Sequence, residues 1–329
     1  MWPFDLSPAG LSAGFSIESL WLALYLVTFA LHAVFVSYVA AGTAYSLVAA
    51  ARRSPDPIAA RARDWLPFML GAGITAGIGP LLFVQLLYQR RFYTANLLMG
   101  PRWGAVVPAL IVGFYALYLA KGSERWRRLA LAVGLGCFLF VAWSWTELHL
   151  VMLDDPAWRA MYASGARFRF DIAIVPRLAG WFGAMAVLFA AVAAWSSAAV
   201  ERRRLAAIAI AGLVVCGAMF AGTAALHHEL DAAHGWTYVL AVAAVVAVAA
   251  WGWTARRPDG PGLAVASAAT AVALLAGAVV REAPRLALIE RARATAVESG
   301  GVIVFAATLL LGIGLITWIV RTVRAAAAT

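Results

Sequence analysis

The sequence predicts an all-α membrane protein, a polytopic helix bundle of about nine transmembrane helices with its N-terminus outside. Three observations predict this class. Hydrophobic residues make up 64% of the 329 residues and charged residues only 13%, against roughly 25% charged residues in an ordinary soluble domain. The apolar residues fall into long runs, and most basic residues fall into the short breaks between those runs.

Each predicted helix is an apolar run long enough to cross the bilayer core, which takes about 20 residues. The breaks between the runs are short and carry turn residues or charge, as in RRSPDP, KGSERWRR and RRPDGPG. We therefore expect a single transmembrane domain over residues 1–329. In chain order, the predicted spans are 17–50, 65–89, 104–121, 127–153, 171–199, 205–226, 236–254, 261–280 and 301–320.

The distribution of basic residues predicts the orientation of these spans. An odd number of spans places the two termini on opposite sides, with 15 Lys and Arg residues on the C-terminal side and 10 on the other. Because basic loops stay inside, the N-terminus is predicted outside. A net charge of +10 would suggest nucleic acid in a soluble protein. Here the arginines set topology and meet lipid headgroups, so the expected partner is the bilayer, with no nucleic acid.

His32 is the first candidate for chemistry, because it lies in the middle of the first apolar run, in the segment FALHAVFVSYVAAG. An ionisable side chain at that depth is expensive and usually has a partner. A haem iron, a proton path and a hydrogen bond to a neighbouring helix would each provide one. Phe29 and Phe35 lie on the same helix face and would either sandwich a porphyrin or simply pack.

Glu147 and His149 are the next candidates, near the outer end of the fourth span in WSWTELHLVMLDDPAW. They are two residues apart and therefore point to different faces of the helix. A functional Glu147 would face the bundle and either accept protons or pair with Arg177, which follows Pro176 near the outer end of the fifth span. The alternative is a carboxylate in water at the membrane interface. A buried Arg177 needs an anion, for which Asp171, Glu147 or a cofactor carboxylate would serve.

A polar cluster follows the second span in FVQLLYQRRFYTAN. Arginine side chains there would grip a carboxylate, a haem propionate or a lipid phosphate, and tyrosine and glutamine side chains would bind a quinone headgroup. Lipid anchoring alone is the alternative. The candidate residues are Gln85, Tyr88, Arg90 and Arg91.

The outer loop HHELDAAHG collects three histidines and two carboxylates. Such clusters can hold zinc or copper. The loop has no defined metal motif, so the other interpretation is a solvated loop.

Four segments together resemble a known family: LHAVFVSYVAAG, GAGITAGIGPLLFVQLLYQRRFYTAN, WSWTELHLVMLDDP and VVREAP. They are similar to segments of subunit I of the cytochrome bd-type quinol oxidases, and the resemblance covers most of the chain. In that family the first helix carries a haem-ligating histidine, and His32 occupies that position here. The resemblance implies nine spans, an outside N-terminus, a bacterial-type inner membrane, haem and quinol.

The sequence lacks most of the residues that carry out the chemistry of that family. The fifth span has no histidine and the seventh has no methionine, which are the family's other haem ligands. The third and last spans lack its intramembrane carboxylates, and the long quinol-binding loop shrinks to HHELDAAHG. We therefore do not expect this chain alone to reduce oxygen, and whether it is an enzyme at all stays open.

Two interpretations remain. The first is a membrane subunit of a respiratory electron-transfer complex that binds one b-type haem through His32, a quinol near the outer cluster, or both. Its partners would be other membrane subunits and a cytochrome or quinone. The second is a haem-free structural subunit that kept the scaffold. A solute transporter is less favoured, because the sequence shows no inverted repeat.

Overall fold

The computed structural model describes residues 17–53, 55–165, 171–227 and 234–289, together with eight positions between 307 and 321. All regular elements in this part of the chain are helices, and it contains no strand. The chain divides into two compact units, residues 1–290 and 291–329. In the second unit, the described positions are helical. The ninth predicted span, 301–320, lies mostly outside the described residues.

The described residues of the first unit form eleven α-helices and one 3-10 turn. Eight of these helical segments are long and apolar enough to cross a membrane, which confirms the predicted membrane helix bundle. The helices are α1 (Ile17–Arg52), α2 (Pro57–Leu87), α3 (Gln89–Met99), α4 (Pro101–Gly104), α5 (Val106–Gly122), α6 (Arg127–Leu153), α7 (Asp155–Ser164), α8 (Ile174–Ala194), α9 (Ala199–His227), α10 (His234–Arg256) and α11 (Gly262–Glu282), and the 3-10 turn is Ala283–Leu288.

The second helix begins earlier than its hydropathy predicts. The apolar run predicts that this helix starts at residue 65, whereas α2 begins at Pro57. The Asp56 side chain accepts a hydrogen bond from the backbone N–H of Ala59, and Pro57 occupies the first turn, a combination typical of a helix start. The helix continues through Pro67 and Pro80, as transmembrane helices tolerate.

α1 lies at the centre of the bundle and packs along α2, with further contacts to α6, α8 and α11. Small residues allow close helix approach. The closest is between α8 and α9, where a Cβ added at Gly183 would lie 2.7 Å from the carbonyl oxygen of Gly212. Many large apolar side chains point outward, among them Val27 at 61% and Ile78 at 54% exposure. Such a surface suits lipid rather than water.

Candidate functional site

Buried and partly buried charges gather at one end of the bundle, where α1 and α8 begin and where α2, α6 and α11 end. An unpaired charge at this depth would be costly, so each needs an ionic or hydrogen-bonding partner. We call this group the charged layer. It consists of Tyr25, Tyr88, Arg91, Arg102, Glu147, His149, Asp155, Arg281, Glu282 and Arg285.

Glu282 is the centre of the layer. Its carboxylate accepts a hydrogen bond from the Tyr88 hydroxyl at 2.7 Å and another from Arg285. Glu282 and Arg285 are 1% and 2% exposed. Pro284 has no N–H to continue the α-helix, and the 3-10 turn that follows places residues three apart on one face. Arg285 is thereby brought onto Glu282.

The buried surroundings of Glu282 shift the pKa values of both of its hydrogen-bonding partners, Tyr88 and Arg285. Burial, and then the neighbouring Glu282 carboxylate, raise the pKa of Tyr88 well above its ordinary value. Burial lowers the pKa of Arg285, but the Glu282 carboxylate together with Tyr25 and Tyr88 outweighs burial and raises that pKa. Tyr88 is therefore a neutral donor and Arg285 a permanent cation.

Arg281 extends the layer towards α1 and α6. Its guanidinium donates to Nε2 of His149 and to the hydroxyl of Tyr25, the latter at 3.4 Å. It also lies over the rings of Phe29 and Trp181, with its Cζ atom 4.8 Å and 5.5 Å from their centroids. Aromatic faces attract a cation in this position. Arg281 therefore links α11 to α1, α6 and α8 without forming a close ion pair with a carboxylate.

Two further ion pairs complete the layer. Glu147 is 1% exposed and accepts hydrogen bonds from Arg102 and from the indole of Trp143. Arg91 binds the carboxylate of Asp155 with both terminal nitrogens and also donates to the carbonyl of Met152 at 2.9 Å. Glu147 thus faces the protein interior, and the interpretation of it as a carboxylate in water is wrong.

His32 lies on α1 with its ring against α2, and it is partly buried. Its Nδ1 atom lies 2.9 Å from the carbonyl oxygen of Gly73. Because a carbonyl only accepts, Nδ1 carries the proton and Nε2 of the neutral ring carries a lone pair. The ring rests on Gly77, where an added Cβ would lie 2.9 Å from Cε1 of His32. Of the partners considered above, the structure shows the hydrogen bond to a neighbouring helix.

The remaining predicted residues occupy different surroundings. Gln85 accepts a hydrogen bond from the hydroxyl of Tyr93 at 3.0 Å, and Arg90 is exposed. Arg177 donates to the carbonyl of Ala173 at 3.3 Å. Of the predicted set, Tyr88, Arg91, Glu147 and His149 join the charged layer.

The histidine-rich loop lies outside this description. Residues 228–233 are not among the described residues. Within the part of the chain that the structure covers, no group of three histidine, cysteine or carboxylate side chains is placed to hold a metal ion.

Sequence reasoning missed Glu282, Arg285 and Arg102 as site residues. Two signals could have found them. The stretch VVREAPR puts three charges directly after an apolar run, and a proline between the last two charged residues predicts a tight turn there. The sequence carries no signal that pairs Arg102 with Glu147, because 45 residues separate them.

The fold and the charged layer define the class: a polytopic α-helical membrane protein with a cation-rich, buried site at one end of its bundle. Comparisons with protein-family models, with curated proteins and with solved structures find no match to this chain.

Proposed function

We propose that this chain is a membrane-embedded subunit of a respiratory electron-transfer complex, distantly related to subunit I of the cytochrome bd-type quinol oxidases. In this proposal it lies in a bacterial-type inner membrane and holds a single b-type haem through His32. A haem supplies reversible one-electron transfer. The chain contributes the ligand, the apolar surroundings and the contacts that orient the ligand.

The observation that carries the proposal is the state of the His32 ring. A metal-ligating histidine commonly donates its other ring N–H to a backbone carbonyl, which fixes the tautomer. His32 makes this bond to Gly73, so Nε2 has the lone pair that iron needs. His149 does not offer a second ligand of the same kind, because its Nε2 atom is occupied by Arg281.

The quinol part of the proposal rests on the segment that follows α2. Gln85 and Tyr93 form an exposed hydrogen-bonded pair, and Arg90 is exposed nearby in sequence. Tyr88 and Arg91 are committed to Glu282 and Asp155. A quinol headgroup would therefore meet Gln85 and Arg90 before it met the buried pairs.

A reduced-minus-oxidised spectrum of the purified chain tests the haem. We expect a b-type band in the wild type that is lost in His32→Ala and restored by added imidazole. His32→Gln is the matched variant, because its amide can donate to the Gly73 carbonyl but ligates iron poorly. A haem band that survives both substitutions would show that His32 is not the ligand.

The second candidate function is a haem-free structural subunit, and the packing of His32 favours it. The imidazole fills the space over Gly77 and links α1 to α2 through Gly73, which is sufficient reason for a histidine at this position. A wild-type protein that shows no haem band when purified from haem-replete cells would favour this function.

A further inference from the structure

The contacts around His149 define its protonation state. Nε2 of His149 faces a terminal nitrogen of Arg281, and a guanidinium group can only donate. Nε2 therefore accepts, and the proton of the neutral ring sits on Nδ1. That Nδ1 atom is buried and has no hydrogen-bond partner.

A second buried donor lies in the same layer. Arg285 is 2% exposed, and its second terminal nitrogen, Nη1, is also buried without a partner. Buried donors are almost always satisfied, and an orphan costs the full desolvation of the group. Both orphans are donors, so a single kind of group, an oxygen that accepts, would satisfy both.

The local charge decides between a neutral and an anionic oxygen. Glu282 bonds to Arg285 and also lies 4.0 Å from Arg281, so one carboxylate serves two guanidinium groups. A water molecule would satisfy the donors but leave the positive charge uncompensated, whereas an oxyanion would do both.

The position of the donors points to the source of that oxyanion. Glu282 ends the eighth apolar helix and Tyr88 directly follows the second, so the donors lie at the depth where an apolar span gives way to headgroups. We propose that His149 and Arg285 form a phosphate-binding site, and that the phosphate belongs to the headgroup of an anionic phospholipid. This proposal does not rest on the haem.

The test measures ligand-induced stabilisation of the full chain in neutral detergent. The probes are phosphatidylglycerol, phosphatidylcholine and inorganic phosphate, each titrated against the thermal unfolding midpoint, with native mass spectrometry to count retained lipid. We expect phosphatidylglycerol to stabilise the wild type more than phosphatidylcholine and to be retained. If inorganic phosphate stabilises equally, the site binds phosphate and the lipid assignment is wrong.

The variants separate the site from the general basic surface. His149→Gln removes the Nδ1 donor while its amide oxygen can still accept from Arg281. The double variant Glu282→Gln with Arg285→Gln removes the second donor and leaves neither member of the buried pair charged, although Arg281 loses the carboxylate that lies 4.0 Å away. Each should weaken phosphatidylglycerol binding at least about tenfold, as expected for a lost charge-assisted hydrogen bond.

Arg159→Gln is the matched control, because it removes an exposed arginine near the same end of the bundle. It should bind phosphatidylglycerol like the wild type. The proposal is overturned if neither phosphate probe stabilises the wild type, or if His149→Gln and the control weaken binding equally. Because the wild type is informative by itself, a double variant that fails to fold does not remove the test.

Discussion

The Glu282–Arg285 pair should be the most destabilising charged contact to break in this bundle. Both side chains are 2% exposed, so neither can recover water when its partner is removed. Losing one member of such a pair costs about 3–5 kcal/mol, because the other stays buried and charged. We therefore expect Glu282→Gln and Arg285→Gln each to lower the free energy of unfolding by about that amount.

The double variant should be much less affected than either single variant. With both charges gone, the two amides can bond to each other and to Tyr88, so we expect a loss of about 0–2 kcal/mol. Comparing the four proteins in a double-mutant cycle gives the coupling energy between the two side chains. From these figures that energy should exceed about 4 kcal/mol, well above the average of about 0.6 kcal/mol for interhelical hydrogen bonds in a membrane protein.

The assay is reversible unfolding in mixed micelles with increasing denaturing detergent, followed by circular dichroism. The exposed pair Lys121–Asp64 serves as the control, since its side chains are 45% and 65% exposed. Asp64→Asn should change stability by less than about 1 kcal/mol. The Glu282–Arg285 pair is not a buried, coupled pair if Glu282→Gln is no more destabilising than Asp64→Asn, or if the double variant is the least stable of the four proteins.

Three further predictions concern Glu147, Tyr88 and the orientation of the chain in the membrane. Glu147→Gln should cost about 3 kcal/mol in the same assay, because it leaves Arg102, whose side chain is only 13% exposed, without its carboxylate. The raised pKa of Tyr88 should make stability fall above about pH 10, where the unfolded tyrosine ionises and the folded one does not; Tyr88→Phe should reduce that slope. Reporter fusions at residues 201–205, near the start of α9, should read cytoplasmic, from the arginine distribution.

Each of these has an outcome that contradicts it. A wild-type stability for Glu147→Gln would mean that Arg102 is solvated without its partner. Equal slopes above pH 10 for the wild type and Tyr88→Phe would mean that Tyr88 ionises at its ordinary pKa in the folded protein. A periplasmic signal from fusions at residues 201–205 would reverse the predicted orientation.

Hydropathy is sufficient to predict the eight apolar helices found in the described residues, because a span is defined by the length of its apolar run. It misplaced the start of α2, where Arg61, Arg63 and Asp64 lower the hydropathy although the chain is helical from Pro57. It also missed α3 and α7, which are short and carry much polar surface. The start of α7 follows a capping residue rather than hydropathy, because the Asp154 side chain accepts a hydrogen bond from the backbone N–H of Ala157.

The charged layer was only partly predictable, because its pairs join distant parts of the chain. Tyr88 and Glu282 are separated by 194 positions, and His149 and Arg281 by 132. A sequence can show that a buried charge needs a partner, as it did for Glu147 and Arg177, but only the helix packing selects the partner. Glu147 bonds to Arg102 because α3 packs against α6 and leads directly into α4, which carries Arg102.

The haem and phosphate proposals can be judged separately because their residues lie at different depths. Arg281 contacts Tyr25 and Phe29 on α1, whereas His32 follows Tyr25 by seven residues, or about 10 Å along the helix at 1.5 Å per residue. His32→Ala should therefore leave phosphatidylglycerol binding unchanged, and His149→Gln should leave any haem band unchanged. If both substitutions remove both signals, the oxyanion held by Arg285 and His149 is a carboxylate of the His32-bound cofactor, and the two sites are one.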